Sequence, residues 1–181
     1  MTARTTAAPP TAPDTAPTAA PVVTAGEFRQ AMGRFLTGVT VVTAYGPEGP
    51  YGTTVSSLAS VSLDPPMLLI CLGHRSRTAR VIGERGLFTV NVLGRDQSAL
   101  AARFAAPDRP RGHAGFAAVP HRLGPAGTPV LDGTLAHLDC RVTQRVVAGD
   151  HTVVIGEVTG TGCADGAGPL AHHRGKLLTP W

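Results

Sequence analysis

The chain has 181 residues, 43% of them apolar and only 15% charged, with a formal net charge of +4. That balance fits one globular, β-leaning domain and excludes a wholly disordered chain. The positive charge is scattered as single Arg residues, which argues against nucleic acid, and no apolar run reaches the roughly 18 residues that span a bilayer. The cysteines, Cys71, Cys140 and Cys163, are odd in number and form no CxxC pair. The expectation is therefore no disulfide framework, no metal site and a reduced, cytoplasmic setting.

Residues 1–25 are nearly all Ala, Thr and Pro and read as a disordered tail, with a folded domain over 26–181. Phe28, Ala31, Met32, Phe35 and Leu36 fall at helical spacing, which predicts an amphipathic helix over 26–36 stopped by Gly38. A β-branched run follows to Tyr45, then a Gly/Pro turn and a second strand from Tyr51. Asp64-Pro65-Pro66 is a rigid turn. The apolar run 67–72 predicts a strand covered on both faces. A helix over 78–85, a strand over 87–93 and a helix over 96–104 come next. Residues 105–129 are rich in Pro, Gly, Arg and His and predict a long irregular connection, a possible lid. Two long strands, 135–147 and 152–161, flank the Gly149-Asp150 turn. The first places Leu138, Cys140 and Val142 on one face, with Asp139, Arg141 and Thr143 on the other. Antiparallel hairpins without regular βαβ alternation predict a mainly β fold, a closed or partly closed antiparallel β-barrel with peripheral helices.

Four stretches carry chemistry. Thr53 to Ser60 is a run of short hydroxyls that can hydrogen-bond the polar edge of a planar heterocycle; an ordinary exposed Ser/Thr strand has the same composition. His74-Arg75-Ser76-Arg77-Thr78 precedes a helix. Its free N–H groups and two guanidiniums suit a phosphate, while solvated arginines beside a capped helix are the bland alternative. His151 follows a turn. His172-His173 point to opposite faces of a strand and make a poor metal pair. There is no GxSxG elbow, Walker A loop or Rossmann fingerprint.

The order of segments resembles the flavin reductase component of two-component flavin-dependent monooxygenases, of the FMN-binding split-barrel kind, which implies a mainly β fold: a split, Greek-key antiparallel β-barrel with peripheral helices. The resemblance rests on Phe35 to Val42, Gly52 to Pro66, Phe88 to Leu93, Arg103-Phe104-Ala105, Ala148 to Thr152, Ile155 to Val158 and His173 to Lys176. It implies an NAD(P)H:flavin oxidoreductase passing a hydride from NADH or NADPH to FMN or FAD. It also implies a homodimer and a partner monooxygenase that receives the reduced flavin. Thr54, Val55, Ser56, Ser57, Leu58, Ser60 and Val61 resemble the stretch lining the flavin. Arg75, Ser76, Arg77 and Thr78 resemble its phosphate site, and Phe104 and Ala105 a further contact. His151 resembles the residue that positions the nicotinamide, with His172, His173, Arg174 and Gly175 on the same side. Ser56 stands where many relatives have Asn, and Leu177 where an aromatic is common. The competing readings are a non-catalytic flavin- or haem-binding carrier or sensor, and a split-barrel oxidase of another organic substrate.

Overall fold

A computed structural model describes residues 22–165 and 168–179. Most of the Ala/Thr/Pro-rich stretch therefore lies outside the described residues. Seven strands make the main sheet: β2 (Thr40–Gly46), β3 (Gly49–Val55), β4 (Leu58–Leu63), β5 (Pro66–Gly73), β6 (Leu87–Val92), β9 (Ala136–Ala148) and β10 (His151–Cys163). Their order is β3-β2-β6-β9-β10-β5-β4, and every pairing is antiparallel. β3 and β4 stand at opposite edges, yet only Ser56 and Ser57 join them. The sheet must curl until its edges meet, which gives a barrel left open along one seam. β1 (Thr37–Gly38), β11 (Ala171–His173) and β12 (Lys176–Leu178) form a small second sheet; β7 (His121–Leu123) and β8 (Pro129–Leu131) form a hairpin.

β2 is buried on both faces because it separates two cores. Val42 and Ala44 join Ile70, Phe88 and Val154 under α2 (Arg77–Arg85). Val39 and Val41 join Leu93, Phe104, Phe116 and Leu131 under α3 (Ser98–Ala105) and α4 (Gly112–Phe116). Each large apolar side chain so buried contributes roughly 1.5–3 kcal/mol.

Four expectations need correction. The first helix, α1, spans Ala25–Met32 and ends at Gly33, whose N–H bonds Arg29 and Ala31 carbonyls; Phe35 and Leu36 lie beyond it, and Gly38 belongs to β1. Its apolar side chains find no core here, with Phe28 61% and Met32 50% exposed. β5 is fully covered on one face only: Leu68, Ile70 and Leu72 are buried, and Met67, Leu69 and Cys71 are part-exposed. Asp139, assigned to an outer face, is 2% exposed. The β7–β8 hairpin and its connection cover that face, and Asp139 accepts a hydrogen bond from Thr89 at 2.7 Å, which compensates its burial. Finally, 105–129 is not irregular throughout, since it holds α4 and β7.

Candidate functional site

Three clefts adjoin along the seam. The largest, about 460 Å³, lies between β3, the start of α2 and the 105–112 segment; Thr53, Arg75, Ser76, Arg77, Phe104 and Ala105 line it. The next, about 320 Å³, is lined by residues 53–57, by 71–73 and by Ser76 and His151. The third, about 290 Å³, is lined by Thr54, Ser56, Ala101, Ala105, His172 and Leu177 among others. Shared walls make them one groove: Thr53 and Ser76 join the first two, Thr54 and Ser56 the second and third, and Ala105 the first and third.

One end of the groove is cationic. α2 starts there because Ser76 caps it, accepting a hydrogen bond from the Ala79 N–H at 3.3 Å. Its buried stripe, Thr78, Ala79, Val81 and Ile82, fixes the helix against the sheet and aims its N-terminus at the cleft. Arg75 and Arg77 flank that N-terminus and are exposed. Thr78, expected at a phosphate, is 1% exposed, although it belongs to the cleft wall.

The middle is built from β3 and the link after it. Thr54 donates to the Ala101 carbonyl at 2.7 Å and ties α3 to β3. The Ser57 hydroxyl accepts from Cys71 N–H at 3.1 Å and donates to its carbonyl at 3.2 Å, locking the link onto β5. These two hydroxyl protons already have partners, which leaves the Thr53 and Ser56 hydroxyls without hydrogen-bond partners among the described residues. Gly52 lets Phe104 lie flat on β3, for a Cβ there would sit 2.6 Å from the ring.

The far end carries the histidines. His151 opens β10 beside Gly73, with its Nδ1 2.8 Å from Asp150 Oδ1. That hydrogen bond, reinforced by the charge on His151, holds the Asp150 carboxyl below its ordinary pKa. His172 lines the third cleft with Gly175. Arg174 adopts a left-handed φ of 49°, and its N–H bonds Gly33 carbonyl at 2.8 Å. It faces a separate cleft with Arg29 and Arg34, of which Gly175 is also part.

The structure thus gathers Thr54, Val55, Ser56, Ser57, Arg75 to Thr78, Phe104, Ala105, His151, His172 and Gly175 around one groove. It does not bring Leu58, Ser60, Val61 or His173 there. Leu58 packs on the first core, while Ser60 and Val61 lie on the exposed edge strand β4. The residue pattern missed Tyr51, Gly52, Arg109 and Arg111. The density of Pro, Gly and Arg over 105–112 was the available signal, and it carries no periodicity that would place it.

A helix N-terminus flanked by guanidiniums and joined to a slot of amides and small hydroxyls fits a planar heterocycle with a phosphate tail. The flavin reductase like domain family matches residues 32–179. The chain belongs to that family. This flavin reductase-like chain is 45% identical over 150 residues to the FMN reductase (NADH) SmoA of Agrobacterium fabrum, covering 83% of each. It is 37% identical to the reductase subunit HsaB of a flavin-dependent monooxygenase of Rhodococcus jostii, over 82% of this chain and 74% of that one. Among solved structures, it superposes with a TM-score of 0.79 on NADH:FAD oxidoreductase SgcE6 of Streptomyces globisporus in complex with NAD and FAD fragments. The identity there is 33%, over 88% of this chain and 96% of that chain. The split-barrel architecture is shared with such neighbours, and no helix among the described residues is long and apolar enough to cross a membrane.

Proposed function

We propose that this chain is an NAD(P)H:flavin oxidoreductase that reduces FMN or FAD and releases the product to a partner flavin-dependent monooxygenase. The observation that carries the reading is the polarity of the groove: guanidiniums and a helix N-terminus at one end, unpaired hydroxyls in the middle, histidines at the other. NADH is the favoured donor, on the strength of relatives named for it. Bound flavin and nicotinamide supply the hydride chemistry, and the protein supplies alignment. Arg75, Arg77 and the start of α2 hold phosphate. Thr53, Ser56 and the strand amides meet the ring edge. Phe104 and Ala105 close one side and exclude water. His151, oriented by Asp150, positions the nicotinamide, with His172 and Gly175 across the groove. The carrier and oxidase readings have no comparable support among the relatives.

Two further elements belong to this proposal. A second copy of the chain covers the exposed apolar patch formed by α1 and the turn after it, since Phe28, Met32, Phe35 and Leu36 are each at least half exposed; light scattering should then give twice the chain mass. The protein works in the cytoplasm through the 26–181 domain, with 1–25 as an appendage.

The test is NADH and NADPH oxidation by catalytic protein, with and without added FMN, FAD or riboflavin. Multiple turnovers that depend on added flavin support the reading. No oxidation with any pair overturns it.

A further inference from the structure

We propose that Arg29, Arg34 and Arg174 form a second anion site, which takes a phosphoryl group just beyond the histidine end of the groove.

The three arginines line one cleft of about 420 Å³ together with Gln30, Gly33 and Gly175, and no carboxylate joins them. They come from separate parts of the chain: Arg29 from the last turn of α1, Arg34 from the turn after it, and Arg174 from the turn between β11 and β12. Folding thus gathers three like charges that repel one another. None of them forms an ion pair among the described residues. Glu27, the one acid in α1, is turned to the start of the helix. There its carboxylate accepts from the Thr24 N–H at 2.9 Å and from the Thr24 hydroxyl at 2.7 Å. The helix C-terminus accounts for Arg29 by itself, but not for Arg34 or Arg174. Phe28 and Met32, assigned above to contact with a second copy, do not line this cleft.

The turn that carries Arg174 points the same way. His173 pairs with Lys176, so Arg174 and Gly175 alone make the loop, with positive φ of 49° and 75°. Such a two-residue turn favours Asn followed by Gly, because Asn tolerates the left-handed region and most side chains do not. An Arg held there is strained, and strain of this kind gathers where a side chain has a ligand to meet. The fold holds it in place. The Arg174 N–H donates to the Gly33 carbonyl at 2.8 Å. Gly33 admits that close approach, since a Cβ there would lie 3.0 Å from the Arg29 carbonyl and 3.7 Å from the Arg174 Cα.

The donor set narrows the ligand. Guanidinium forks match phosphate oxygens in pairs, and three of them suit a multiply charged phosphoryl group better than a lone carboxylate. Gly175 also lines the third cleft beside His172, so the site adjoins the groove. The phosphoryl group has two available sources, the diphosphate of the nicotinamide donor and a free phosphate ester. The first source rests on the reading of the groove given above; the site itself does not.

Calorimetric titration of the full chain with inorganic pyrophosphate, in excess FMN so that the Arg75–Arg77 end is filled, tests the site. Arg174→Asn removes the guanidinium and suits the left-handed turn, so its thermal midpoint should equal or exceed that of the unaltered chain. Arg34→Gln removes a charge contributed by a different turn. Each variant should weaken pyrophosphate binding about tenfold. No binding by the unaltered chain, or a loss below about threefold in both variants, overturns the proposal. Steady-state kinetics at saturating flavin then separate the sources. If the donor supplies the phosphate, both variants raise the KM for NADH about tenfold and leave that for N-benzyl-dihydronicotinamide, which has no phosphate, within about twofold. Weakened pyrophosphate binding with an unchanged KM for NADH assigns the site to a free phosphate ester. A chain that binds pyrophosphate through these arginines yet oxidises no NADH with any flavin keeps the site and fails the reductase reading.

Discussion

The two ends of the groove are built on opposite principles. The cationic end is rigid and over-determined: a capped helix with a buried stripe, a segment tied down by Arg103 and Arg109, and Phe104 pressed onto Gly52. The histidine end is open. His151 is exposed and its Asp150 partner stands wholly in solvent. The contrast teaches where binding energy and chemistry reside. Affinity for the carrier of charge is fixed by preorganised donors, whereas hydride transfer between stacked rings needs alignment and access more than a buried acid or base.

The comparison breaks first at the cationic end. Replacing Arg75 and Arg77 together with Ala should raise the flavin-nucleotide Kd about 100-fold, since two charged phosphate contacts are lost; calorimetry reads this, and a change below about threefold would dissociate α2 from phosphate binding. Between the ends, Gly52→Ala forces the Phe104 ring off β3. Denaturant unfolding should show a loss of about 1–3 kcal/mol from overpacking, with weaker flavin binding beside it. At the open end, His151→Asn should raise the KM for NADH about tenfold while leaving flavin Kd within about twofold. An equal shift in both constants would erase the distinction between the ends.

A further effect lies away from the groove. Burial, and secondarily the Asp139 charge, pushes the Cys140 thiol up to about 12 from its ordinary 9.0. The folded chain therefore keeps a proton that the unfolded chain gives up. Stability is unaffected below the ordinary value and falls as pH rises from there towards about 12. Thermal melts across that window should show the decline, and Cys140→Ala should flatten it even if it lowers stability at every pH.

The cationic end was legible in sequence because Arg75-Ser76-Arg77 sits just before a periodic helix, and local chemistry sufficed. The hairpins and long strands were legible by alternation and turn residues. What was not legible depended on non-local contact. Asp139 looks like a solvent-facing strand residue until Thr89 and the β7–β8 hairpin arrive from elsewhere in the chain. Thr54 and Ser57 look like free donors until α3 and β5 take their protons. Arg109 and Arg111 sit in a segment without period, and only folding brings them across from α2. Leu58, Ser60 and Val61 were included with the groove because they continue a motif, but the chain turns onto β4 after Ser57 and carries them away.

The most direct test is anaerobic mixing of flavin-saturated protein with NADH, following the flavin absorbance, for the unaltered chain and for the Arg75→Ala/Arg77→Ala variant at saturating flavin. The account predicts bleaching in proportion to NADH consumed, at rates within about threefold of each other, because the arginines hold the flavin and the far end aligns the hydride. Flavin that stays oxidised on the unaltered protein, or a variant slowed about a hundredfold at saturation, would contradict it.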